Sequence, residues 1–104
     1  MKSLGIGLAG CGAIGKIHAL AYQSLSSYYR LPMQVKLVGV CTSNERTAKR
    51  TQQEYNFEFC CSDYSSLLER DDIDIIDCCI PNYLHKNVIL DAISCGKYIY
   101  AKNH

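Results

Sequence analysis

The stretch LGIGLAGCGAIGKIHALAY, residues 4–22, decides the fold. Residues 4–9 are a short apolar run suited to a buried strand. Gly10 to Gly15 follow as Gly10-x-Gly12-x-x-Gly15. From residue 14 to 26, Ile14, Ile17, Leu20, Ala21 and Leu25 recur at helical spacing, as an inward face would. Between a strand and a helix, each glycine has its own task. Gly10 permits the tight turn, Gly12 lets a pyrophosphate reach the backbone without meeting a Cβ, and Gly15 lets the helix pack closely on the strand. Cys11, Ala13 and Ile14 complete the cradle through their backbone. The N–H groups at the helix start, with the helix dipole behind them, suit an anion. A turn that serves only strand–helix packing is the alternative.

The rest of the chain repeats the alternation. Strands are expected over 34–41, 57–60, 72–80 and 97–101. Helices are expected from Ser43 or Asn44 to about Tyr55 with Ala48 inward, briefly after Asp63 with Leu67 and Leu68, and from Asn82 to Ser94. The last carries Val88, Ile89, Ala92 and Ile93 on its face and stops at Gly96. Strand–helix–strand order implies parallel pairing through right-handed crossovers. The apolar run of 72–80 implies a sheet covered on both faces. The expected class is α/β, a doubly wound open parallel sheet of Rossmann-like form with about five strands, the last strand or strands missing. Residues 1–104 read as one incomplete dinucleotide-binding domain.

Composition narrows the partners. A formal net charge of +1 gives no field that would gather nucleic acid or an anionic membrane. No apolar run reaches the roughly 20 residues that span a bilayer. The N-terminus lacks a signal-peptide pattern, so the expected location is cytoplasmic. Seven cysteines would suggest a disulfide scaffold in a secreted chain. Here Cys41, Cys60, Cys78 and Cys79 lie in strand-like runs, the count is odd, and no pair has CxxC spacing. The pairs Cys60-Cys61 and Cys78-Cys79 would point to opposite faces of a strand, so neither pair chelates one metal. They read as reduced core residues, and no metal ligand is assigned.

The tip of the second strand should read the ribose of a dinucleotide. An NAD-preferring site usually carries Asp or Glu there. Thr42 stands in its place, followed by Ser43, Asn44, Glu45 and Arg46. The hydroxyls of Thr42 and Ser43 tolerate a 2′-phosphate, and Arg46, Lys49 or Arg50 could pair with one. This leans towards NADP. A plain solvated helix face accounts for the basic residues equally well, and Glu45 could serve as a displaced acid, so the cofactor is NAD or NADP.

The segment DIDIIDCCIPNYLHKNVILDAISCGKYIY, residues 72–100, makes the comparison specific. With the glycine turn and the stretch Glu45-Arg46…Ala48, it resembles the N-terminal domain of the glucose–fructose oxidoreductase / inositol dehydrogenase / MocA family. Pro81, Asn82 and His85 match a P-N-x-x-H pattern, and Gly96-Lys97 match the following turn. Ile80 replaces the threonine common there. The resemblance implies NAD(P) binding, with Ile80, Pro81, Asn82 and His85 beside the nicotinamide half. Pro81 also serves as a strand terminator and Asn82 as a helix cap. His18 reads as a surface or packing residue.

The family follows its fifth strand with Glu-Lys-Pro. Here Lys102, Asn103 and His104 occupy those positions, so the motif is unmatched. Lys102 is the sole catalytic candidate, and no catalytic residue is assigned. One base deleted from codons for Glu-Lys-Pro-Leu-Ala yields Lys-Asn-His-stop, which would account for all three departures. Full-length family members transfer hydride between nicotinamide and a sugar, cyclitol or related polyol, using a second, substrate-holding domain. The expectation for this chain is cofactor binding without turnover and without that domain. The alternatives are a non-catalytic NAD(P)-binding regulatory module and an inactive frameshifted fragment. An open edge at the fifth strand would favour a homo-oligomer.

Overall fold

The computed structural model describes residues 2–10, 12–28, 33–80 and 82–101. Along the chain the elements are β1 (Lys2–Ala9), α1 (Ala13–Tyr28), β2 (Met33–Cys41), α2 (Glu45–Tyr55), β3 (Phe59–Cys61), α3 (Ser65–Leu68), β4 (Ile75–Cys78), α4 (Asn82–Ser94) and β5 (Tyr98–Ala101). The strands form one parallel sheet in the order β3-β2-β1-β4-β5. The chain builds outward from β1 to β3, then returns to the other side of β1. The winding direction therefore reverses between β1 and β4, where doubly wound sheets open a crevice at the strands' carboxyl ends.

Apolar side chains fill both faces, as the continuous strands require. One cluster holds Val38, Leu67, Ile76, Val88 and Ala92. The other holds Leu8, Ala19, Val40 and Phe57. Val38 and Val40 are two residues apart yet lie in opposite clusters. The β1–β2 register shifts between Ile6 and Gly7, leaving Val38 as the extra residue. A bulge of one residue reverses the facing of all that follow. The adjacent cysteines divide as expected: Cys61 and Cys78 belong with the first cluster, Cys60 and Cys79 with the second.

Local chemistry sets the helix ends. Asn44, rather than Ser43, caps α2, its Oδ1 accepting from Thr47 N at 3.1 Å. Asn56 closes α2 in the left-handed region. Ala48 is fully buried. Asp63 Oδ1 accepts from Ser65 N at 3.0 Å at the start of α3, which holds its carboxyl below the usual range. Gly96, at φ +75°, follows α4.

Four expectations need correction. β4 runs 75–78, not 72–80. Asp72 is drawn to Arg70 by two bonds of 2.9 and 2.7 Å, and Asp74 Oδ2 accepts from Gly5 N at 2.8 Å. β3 runs 59–61, not 57–60, because Phe57 N bonds back to Gln52 O and its ring enters the core. The helical stripe of α1 is not the inward face: Ile17 and Leu20 are 65% and 58% exposed, while Ala19 is fully buried. The sheet offers α1 the buried Asp77, and α1 meets it with His18 and Tyr22. Of the two readings offered for His18, surface or packing, packing holds. In α4, Val88 and Ala92 are buried but Ile93 is 61% exposed.

Candidate dinucleotide-binding site

The site is assembled from the carboxyl ends of the strands. Gly10 N bonds to Cys41 O at 2.7 Å and Cys79 N to Ala9 O at 2.7 Å, so the exits of β1, β2 and β4 are tied together. Gly10 sits at φ +88°, and a Cβ there would stand 2.7 Å from Ile80 Cγ2 and 3.0 Å from the Cys79 carbonyl carbon. Both the turn and the neighbouring strand exit demand glycine. Gly12 differs: among the described residues beyond its chain neighbours, a Cβ there would meet no atom within 4 Å. Its backbone is exposed at the start of α1, and Lys16 N closes the first helical turn onto Gly12 O at 3.0 Å. The first turn of α1 carries no acidic residue. The positive end of this dipole is not countered from within the helix, as an anion site needs. Gly15 is buried, in keeping with its packing role.

Beside the turn lies a cleft of ≈ 190 Å³, mostly apolar in lining. It is lined by Ala9 and Gly10 at the β1 exit, Cys41, Thr42 and Ser43 at the β2 tip, and Ile80 after β4. Ser62, Tyr64, Asn87 and Val88 also line it. Tyr64 is held by a bond from its hydroxyl to Asp91 Oδ2 at 3.1 Å. The neighbouring Cys61 thiol and burial push the Cys41 thiol up, which favours its protonated form. The Thr42 hydroxyl lies 2.7 Å from Asn44 O and 2.7 Å from Thr47 Oγ1. The β2 tip is thus fixed by its own capping cluster.

Gly10, Thr42, Ser43 and Ile80 come together in this cleft, with Gly12 and Gly15 in the adjoining turn. Arg46 is exposed in the first turn of α2 and does not line the cleft. Ala13 and Ile14 open α1, and Asn82 and His85 lie in the first turn of α4. Cys11, Pro81 and Lys102, with Asn103 and His104, lie outside the described residues. Four of the lining residues, Ser62, Tyr64, Asn87 and Val88, escaped the sequence reading. Val88 carried a helical-face signal but no sign that this face borders a ligand cleft.

Comparison with known proteins follows from this geometry. Residues 4–101 match the GFO_IDH_MocA family, described as an oxidoreductase family with an NAD-binding Rossmann fold. The chain is 32% identical over 101 residues to levoglucosan dehydrogenase of Pseudarthrobacter phenanthrenivorans, covering 95% of this chain and 26% of that protein. It is 31% identical over 101 residues to the uncharacterized oxidoreductase YrbE of Bacillus subtilis, covering 97% and 28%. Among solved structures, a levoglucosan dehydrogenase in complex with NADH superposes with a TM-score of 0.91 at 30% identity, covering 96% of this chain and 27% of that one. An NAD-binding oxidoreductase from Klebsiella pneumoniae gives 0.91 at 31% identity, covering 95% and 27%. The chain thus spans about a quarter of the length of these relatives.

Proposed function

The chain belongs to the GFO_IDH_MocA oxidoreductase family, and on that premise we propose that it binds NAD(P) in the cleft and glycine turn without catalysing turnover. The observation that carries the reading is Gly12. Among the described residues beyond its chain neighbours, no atom would lie within 4 Å of a Cβ there, so their packing does not explain the glycine, while an approaching pyrophosphate does. The pyrophosphate rests on the backbone of Gly10 to Gly15 and the amino end of α1. The adenosine ribose lies against Thr42 and Ser43. The nicotinamide half extends towards Ile80, Pro81, Asn82 and His85.

The lean is towards NADP. The β2 tip offers hydroxyls where NAD-preferring sites place a carboxylate, and Arg46, Lys49 and Arg50 are exposed on the helix that follows. In longer relatives the partner reaction is hydride transfer to or from a sugar, cyclitol or related polyol. That step requires a substrate carbon held against the nicotinamide with a base in reach. The one catalytic candidate, Lys102, stands in an unmatched motif. Six described cysteines are free thiols, which suits the reducing cytoplasm. Among the described residues no helix is long and apolar enough to cross a membrane.

The β5 edge favours a second reading, a binding module that self-associates. Tyr98 and Tyr100 are 75% and 51% exposed on an edge strand. Fluorescence titration with NADH and NADPH, paired with turnover assays on sugars and polyols, tests both. Saturable binding with no hydride transfer is expected. Absence of saturable binding at millimolar dinucleotide contradicts the first reading, and turnover by the purified chain contradicts the claim of inactivity.

A further inference from the structure

On the α1 face of the sheet, three polar side chains converge on one buried carboxylate. Asp77 in β4 is fully buried. His18 Nδ1 lies 2.8 Å from Asp77 Oδ2, and the Tyr22 hydroxyl donates to the same oxygen at 2.6 Å. Cys79 Sγ is 3.3 Å from Asp77 Oδ1 and 3.4 Å from His18 Nδ1. One nitrogen, one carboxylate and one sulfur from two elements therefore lie within 4.8 Å of one another. His18 retains 16% side-chain exposure, which gives the cluster a path to solvent.

We propose that His18 Nδ1, Asp77 and Cys79 Sγ form a three-ligand site for a divalent cation of the zinc class. Zinc bonds of about 2.0–2.3 Å to N, O and S imply tetrahedral ligand–ligand edges of about 3.3–3.6 Å. The Cys79 Sγ–His18 Nδ1 edge, at 3.4 Å, is already near that length. Asp77 presents a different oxygen to each partner, Oδ1 to Cys79 Sγ at 3.3 Å and Oδ2 to His18 Nδ1 at 2.8 Å, so ligation through one oxygen turns the carboxylate as a cation replaces the shared proton. Imidazole, carboxylate and thiolate together select a borderline-soft metal over magnesium or calcium. Charge also closes: the Asp77 carboxylate and a Cys79 thiolate neutralise a dication within a buried site. Binding breaks the Cys79 S–H bond, forms a sulfur–metal bond and releases that proton to solvent. A proton on neutral His18 Nδ1 moves to Nε2, freeing the lone pair. Tyr22 is the outer donor that orients Asp77. Its hydroxyl already donates to Asp77 Oδ2 at 2.6 Å. The Tyr100 ring meets the His18 ring edge-on at 5.7 Å, which fixes the imidazole plane. The site staples α1 to the exit of β4 and is independent of the dinucleotide reading.

Cobalt(II) titration of the metal-free 104-residue chain tests the site. A thiolate-to-cobalt charge-transfer band should saturate at one equivalent and be displaced by zinc. Cys79→Ser should abolish the band, Cys41→Ser should keep it, and Tyr22→Phe should weaken affinity about 10–100-fold. One equivalent of zinc should also protect Cys79 from alkylation in the unaltered chain, mapped by peptide mass, which needs no variant to fold. Absence of a saturable band, a band that survives Cys79→Ser, or Cys79 labelling unaffected by zinc would overturn the proposal.

Discussion

Gly10 and Gly12 belong to one motif, yet the structure assigns them different work, and alanine at each position separates the two. Alanine at Gly10 must adopt φ +88° and place a Cβ 2.7 Å from Ile80 Cγ2. The left-handed backbone costs about 1–2 kcal/mol. Overpacking against the β4 exit costs about 1–3 kcal/mol. The lost flexibility of the unfolded chain offsets about 0.4–1 kcal/mol. The net loss is about 1–5 kcal/mol, a sizeable share of the roughly 5–15 kcal/mol typical of a domain. Alanine at Gly12 meets nothing within 4 Å among the described residues beyond its chain neighbours. Stability should then stay within about 1 kcal/mol of the parent. NADH affinity should instead fall at least tenfold, about 1.4 kcal/mol, because the methyl occupies the pyrophosphate's approach. Urea denaturation reads the first quantity and NADH titration the second. Equal stability losses in the two variants, or parental NADH affinity in Gly12→Ala, would refute the division of labour.

Thr42→Asp places a carboxylate at the β2 tip, so NADPH affinity should drop at least tenfold while NADH binding holds or improves; paired titrations check the ratio. Asn44→Ala removes the cap on α2 and should cost about 1 kcal/mol in urea denaturation. The Asp63 carboxyl is held low by the Ser65 N–H, so its stabilisation is complete above the ordinary aspartate range. It is lost as pH falls through its folded value, below about 3.9, so the Tm gap between the parent and Asp63→Ala should close there. Tyr98→Lys on the exposed edge should abolish concentration-dependent self-association in sedimentation, and a parent chain monomeric at high concentration would contradict edge pairing.

The sheet was legible because glycine and alanine carry positional meaning. Gly10 to Gly15 marked the first turn, Gly96 the end of α4, and Ala48 and Ala92 the inward faces of their helices. Thr42, Ser43 and Ile80 were placed at the cleft because strand ends follow from strand order. What stayed hidden was long-range. The bulge at Val38 has no local signal, since it arises from pairing with β1. The apolar stripe of α1 pointed the wrong way because periodicity assumes that apolar residues face inward. Asp77 reversed that assumption: a buried carboxylate drew His18 and Tyr22 to the sheet and left Ile17 and Leu20 outside. Tyr64 and Asn87 join the cleft from segments remote in sequence, with no spacing to announce them.

The central claim is that this fold holds a dinucleotide across the switch point. Amide NMR shifts recorded during NADH addition test it most directly. The account predicts saturating shifts at Gly10, Gly12, Gly15, Thr42, Ser43 and Ile80, with one dinucleotide per chain. Unmoved glycine-turn amides at saturating NADH, or shifts confined to the opposite ends of the strands, would contradict it.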